Sequence, residues 1–106
     1  MKGASVSYSE FWRMSATEQT NALNKGDISS AEAVSSSIDR MRAVNGDLNA
    51  VVMNLSEQAL ERASQLDNQR QKGDPCGPLH GLPITVKVNV DQAGWATTNG
   101  IQAMND

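Results

Sequence analysis

The chain has 106 residues, nine basic against twelve acidic, for a formal charge of −3, which bounds it to one small domain or part of one. Its four aromatics are not interleaved with a basic stripe, so nucleic-acid binding has no footprint, and a single cysteine, Cys76, excludes an internal disulfide framework and a cysteine-rich zinc site. The opening "MKGASVSYSEFW" lacks the apolar stretch of a secretory leader, and no run approaches the ~20 apolar residues of a membrane span, so a soluble cytoplasmic protein is expected.

Tyr8, Phe11 and Trp12 fall on one face of a short N-terminal helix that could dock through them. Residues 16–25 read as a helix ended by Gly26 in a left-handed position. Ser29 and Glu32 make a capping box. The helix they open carries Ala31, Val34, Ile38 and Met41 as an apolar stripe, with Asp39, Arg40 and Arg42 turned away, and "NGD" at 45–47 stops it. The run "AVVM" at 50–53 reads as a short strand. Ser56 caps a further helix over 56–72, with Ala59, Ala63 and Leu66 on its buried face and Gly73 at its end. The loop "GDPCGPLHGLP" gathers all three prolines of the chain and predicts an ordered, turn-rich connection.

After Pro83, "ITVKVNVD" alternates with period two. Ile84, Val86, Val88 and Val90 share one face, and Thr85, Lys87, Asn89 and Asp91 the other. From Gly94 the tail is rich in Thr, Asn and Gly. The order helix, helix, strand, helix, strand predicts the opening section of a larger α/β domain. The expected division is an N-terminal extension over 1–15, a helical region with one strand over 16–73, and loop, strand and tail over 74–106.

Candidate chemistry is sparse. Ser29, Ser30, Ser35, Ser36, Ser37 and Ser56 lie on helices or at their caps, and none sits in a G-x-S-x-G elbow. His80, the only histidine, allows no histidine pair for a metal, and its turn setting favours a backbone-shaping or packing role. Cys76 precedes it by four residues, but no third group orients such a pair. Lys87 has two readings. It is a solvated charge on the polar face of a strand, or an amine kept for chemistry. An exposed lysine is almost wholly protonated at neutral pH, so the second reading needs desolvation or neighbouring cations.

The run "GPLHGLPITVKVNVDQAGWATTNG", residues 77–100, resembles the first hallmark segment of the amidase signature family. Gly77, Pro78, Leu79, His80, Gly81, Pro83, Ile84, Val86, Lys87, Asn89, Gly94, Thr97, Thr98 and Gly100 match its pattern. The upstream "GDISSAEAVSSSIDRMRAVNGDLNAVV" and "ALERASQLDNQRQKG" are similar to the family's first helix and strand and to the helix before the loop. Two departures stand out. Val88 replaces the usual Asp after the lysine, and Ile101 stands where many members have Ser.

The resemblance implies the N-terminal portion of a mixed β-sheet flanked by α-helices, here about three to four helices and two or three strands. It implies that Lys87 belongs to a Ser–cis-Ser–Lys triad and accepts a proton from a bridging serine, which deprotonates the nucleophilic serine. Both serines lie downstream of this stretch in the family, and none of the serines present matches them. The implied reaction is hydrolysis of a carboxylic amide through an acyl-enzyme, with no cofactor and no metal. The implied partner is a small-molecule amide, a homodimer of the full-length parent being left open. Alternatives are the amidase component of a glutamyl-tRNA amidotransferase-type complex and a non-catalytic remnant that binds a partner.

Overall fold

The computed structural model describes residues 8–98. A 3-10 helix, Tyr8–Arg13, leads into α1 (Ala16–Lys25), α2 (Ser30–Leu48) and α3 (Ser56–Gln71). The remaining described chain, 72–98, is loop and turn with one isolated antiparallel bridge, Gln92 to Trp95.

Local chemistry sets the ends of the first two long helices. Ser15 caps α1 and forms with Glu18 a capping box not anticipated from the sequence, while Gly26 closes the helix at φ 75°. The expected Ser29–Glu32 box opens α2. That helix runs past "NGD" and ends at Asn49, a non-glycine residue in the left-handed region at φ 49°. Gly46 costs helix propensity without breaking the helix. α3 starts differently from the expectation. Ser56 is its first residue, and Leu55 at the N-cap gives no side-chain bond. The Ser56 N–H and hydroxyl both go to the Asn54 side chain.

The core has two small clusters. Phe11, Ala22, Leu23, Ile28 and Ala33 form one, with Met14 and Leu82 packed against it. Val34, Ile38 and Ala63 form the other, with Ala31, Ala59 and Leu60 at its rim. Of the predicted stripe of α2, Val34 and Ile38 are buried and Ala31 and Met41 half-buried, while of the three N-terminal aromatics Phe11 alone is buried and docks the 3-10 helix. Trp12 stays at the surface between two guanidinium groups, Arg40 at 4.2 Å and Arg13 at 5.1 Å from the ring centre.

The expected mixed sheet is not formed. Neither 50–53 nor 84–90 is a strand, and among the described residues there is no ladder. The reason is one of partners, because alternation assigns faces while a strand exists only when its N–H and C=O groups are paired by another. At 50–53 the backbone is diverted. The Asn45 side-chain amide donates to the Val51 carbonyl at 3.0 Å and accepts from the Val51 N–H at 2.8 Å. At 84–90 the run stops in a turn, where the Val90 N–H donates to the Lys87 carbonyl at 3.0 Å. The architecture of the described residues is therefore helical.

Candidate active site

The segment that leads to Lys87 is held by three successive residues. Two tight turns shape it, with His80 N–H donating to Gly77 and Leu82 N–H to Leu79, at 3.2 and 3.1 Å. His80 is half-buried, and its Nε2–H donates to the Leu66 carbonyl of α3 at 2.9 Å. Gly81 is buried at φ 82°, and a Cβ there would stand 2.8–2.9 Å from the Ser30 side chain. Only glycine fits that approach and that dihedral. The Gly81 carbonyl accepts the Ser30 hydroxyl at 3.1 Å in a buried bond spanning 51 positions of sequence. Leu82 then enters the Phe11 cluster.

Opposite this loop, the N-terminus of α2 is fully satisfied. Ser29 N–H and Glu32 N–H exchange bonds with each other's side chains at 3.2 and 3.1 Å. The next two donors, Ser30 N–H and Ala31 N–H, reach the two carboxylate oxygens of Asp67 at 2.7 and 3.0 Å. All four N–H groups that a helix start leaves without intrahelical partners are therefore used. One turn further along α3, Arg70 donates to the Asn24 carbonyl at 2.6 Å, closing the end of α1. A cleft of about 560 Å³ lies between these elements, with Leu23, Ile28, Ser30, Asp67, Arg70 and His80 in its wall.

Lys87 is outside that cleft. It is exposed, and among the described residues its amine has no hydrogen-bond or ion-pair partner. Its apolar neighbours are exposed as well, Ile84 at 74% and Val90 at 53%. The desolvation required of a catalytic amine is not supplied by residues 8–98. Cys76 is exposed and its thiol faces the Asp74 carbonyl, while His80 faces Leu66, so the two do not pair.

The described serines behave as structure. Ser29 caps, Ser30 ties Gly81, and Ser36 donates to the Tyr8 carbonyl at 2.8 Å. Among the described residues no cluster of His, Cys, Asp or Glu could hold a metal, and no helix is long and apolar enough to cross a membrane. Gly100 and Ile101 fall outside the described residues.

Sequence reasoning missed Asp67 and the role of Ser30. A partial signal existed, since a capping box serves two of the four donors of a helix start and leaves two needing an acceptor. Which carboxylate supplies it is a tertiary matter.

The hallmark residues His80 and Gly81 thus sit, with Leu82, on a loop where each has a defined partner, and comparison with known proteins agrees with the pattern. The Amidase family model matches residues 32–106, and the chain belongs to that family. It is 50% identical over 95 residues to an indoleacetamide hydrolase of Bradyrhizobium diazoefficiens, covering 90% of this chain and 18% of that protein. It is 38% identical over 97 residues to a glutamyl-tRNA(Gln) amidotransferase subunit of Moorella thermoacetica, covering 92% of this chain and 20% of the relative. An acylamidase of Rhodococcus erythropolis is 37% identical over 93 residues, with coverages of 88% and 20%. The chain spans about a fifth of the length of these relatives.

Proposed function

We propose that this chain supplies the proton-accepting lysine of an amide hydrolase. The observation that carries the reading is the run from Gly77 to Gly100, which keeps the hallmark pattern around Lys87 at fourteen positions, Val88 being its departure, in a chain of the Amidase family. In this reading a serine attacks the amide carbonyl and passes its proton through a bridging serine to Lys87. The proton then goes to the departing nitrogen as the C–N bond breaks, and water releases the acyl-enzyme. Oxyanion stabilisation by backbone N–H groups completes the scheme.

The family places both serines downstream of this stretch, so the 106-residue chain alone is inactive. Lys87 also needs the rest of the enzyme to exclude water around it, because a lysine acts as a base only as the free amine. The single cysteine, Cys76, is in keeping with a cytoplasmic setting. A primary arylacetamide is the favoured substrate class, on the strength of the 50% identity to an indoleacetamide hydrolase.

The test is ammonia release from indoleacetamide by the full-length protein and by its Lys87→Ala variant. Turnover should fall by several orders of magnitude in the variant, as for other members of coupled triads. A variant that keeps wild-type turnover ends the assignment. A second reading, a component of an amidotransferase complex, draws on the relative from Moorella thermoacetica. It requires glutaminase activity that appears only with co-purifying partner proteins.

A further inference from the structure

We propose that His80, Gly81 and Ser30 form, with Leu66 and Asp67 of α3, a clasp that sets the position of Lys87, and that His80 is a positioning residue for the reaction. The inference rests on the assignment of Lys87 to that reaction and adds to it the part of the molecule that aims the lysine.

The clasp is built from both sides. On the loop side, His80 Nε2–H holds the Leu66 carbonyl at 2.9 Å and the Gly81 carbonyl takes the Ser30 hydroxyl at 3.1 Å. On the helix side, Asp67 pins the Ser30 and Ala31 N–H groups at 2.7 and 3.0 Å, so the serine that grips the loop is itself fixed by the residue after Leu66. Leu82 closes the assembly by packing on the Phe11 cluster. Gly81, at φ 82°, leaves no room for a Cβ, which would stand 2.8–2.9 Å from the Ser30 side chain.

Beyond Leu82 no hydrogen-bonded turn or helix intervenes before Lys87. Among the described residues the clasp is therefore the last hydrogen-bonded hold on the chain before the lysine. The six residues from Gly81 reach at most about 20 Å, and when the run is extended a 10° change in the direction it leaves the clasp displaces the far end by up to about 3.5 Å. A misplacement of about 1 Å can cost a hundredfold in rate. Small disorder at the clasp is thus large at the amine. The single proton on Nε2 also means that His80 reaches Leu66 only as a donor, so a side chain that donates from the same place should replace it.

The experiment uses the full-length amidase and the fastest substrate among indoleacetamide, benzamide and propionamide, well below the melting midpoint of each variant. His80→Ala should lower kcat at least tenfold with KM within twofold of wild type, and His80→Gln, which keeps an N–H donor at similar reach, should recover at least a third of kcat. If His80→Ala does not fold, Ser30→Ala gives the same reading, with kcat again expected to fall at unchanged KM. The clasp is overturned if the folded variant keeps kcat within twofold and only melts earlier, or if His80→Gln is no better than alanine. Lys87→Ala is measured beside them. A dead Lys87→Ala with an unimpaired His80→Ala removes the clasp alone, whereas a fully active Lys87→Ala removes the assignment of the lysine and the clasp with it.

Discussion

Asp67 shows how much one side chain can do in a chain this small. It is half-buried and serves two N–H donors of α2 that have no other partner. Hydrogen bonds to a charged group are worth about 1.5–3 kcal/mol each, and leaving a half-buried donor unmet has its own cost. Asp67→Ala should therefore lower unfolding stability by about 3 kcal/mol in denaturant titrations, the lower end for two such bonds because water reaches a half-buried site, and Asp67→Asn by roughly half of that, because the amide keeps one acceptor. The exposed pair Glu10–Arg13, at 3.0 Å, is a useful contrast, since pairs of that kind contribute little. Tyr8 offers a spectroscopic handle as the only tyrosine. Its hydroxyl donates to Asp39 at 2.8 Å, and that bond, with desolvation and the carboxylate charge, raises its pKa above the ordinary 10.0. A raised folded pKa stabilises the fold below the ordinary value, and the contribution is lost as pH climbs through the folded one. Phenolate absorbance of this chain should show a midpoint above 10.0 that falls toward it in Asp39→Asn.

At the scale of elements, the helices yielded to sequence reasoning because their signals are local. Ser29 and Glu32 are three positions apart, and Gly26 lies next to the residue it terminates. The end of α2 departs from expectation for a physical reason. Gly46 weakens a helix by roughly 1 kcal/mol, which the buried stripe of Val34 and Ile38 outweighs, so the stop comes instead at Asn49. Left-handed backbone is cheaper for glycine than for asparagine. Asn49→Gly should accordingly raise stability by up to about 1 kcal/mol, measurable as a shift of the thermal midpoint with unchanged helix content. The strand expected from the alternation at 84–90 is not formed, because alternation specifies faces and not partners. The clasp was the least legible part, because its bonds join residues 14, 37 and 51 positions apart. The motif G-P-L-H-G-L-P pointed at the right loop without revealing what holds it.

The whole molecule carries the mark of a small core and a large apolar remainder. Among the described residues Phe11 alone is a large side chain fully buried, while Leu48, Val52, Leu79, Ile84, Val90 and Trp95 are exposed. The radius of gyration is 15.5 Å and the extents 55 × 32 × 21 Å, against the roughly 13 Å of a compact domain of about a hundred residues. An exposed alternating run of this kind is an association hazard in water. The 106-residue chain should therefore self-associate with rising concentration in sedimentation velocity, and lysines in place of Ile84 and Val90 should reduce that association. A monomer at every concentration would contradict the expectation. Lys87 sits on the same exposed surface, so any partner that covers these valines also removes water from the lysine.

The last turns of α3 bind three other parts of the chain within five residues. Leu66 takes the loop, Asp67 the start of α2, and Arg70 the end of α1. Fraying α3 back from its C-terminus gives up Arg70, then Asp67, then the Leu66 carbonyl, so it costs more than the helix's own bonds. Sub-global opening should accordingly gather these segments into one cooperative unit, with the amides around Gly81 exchanging at a free energy close to that of α3.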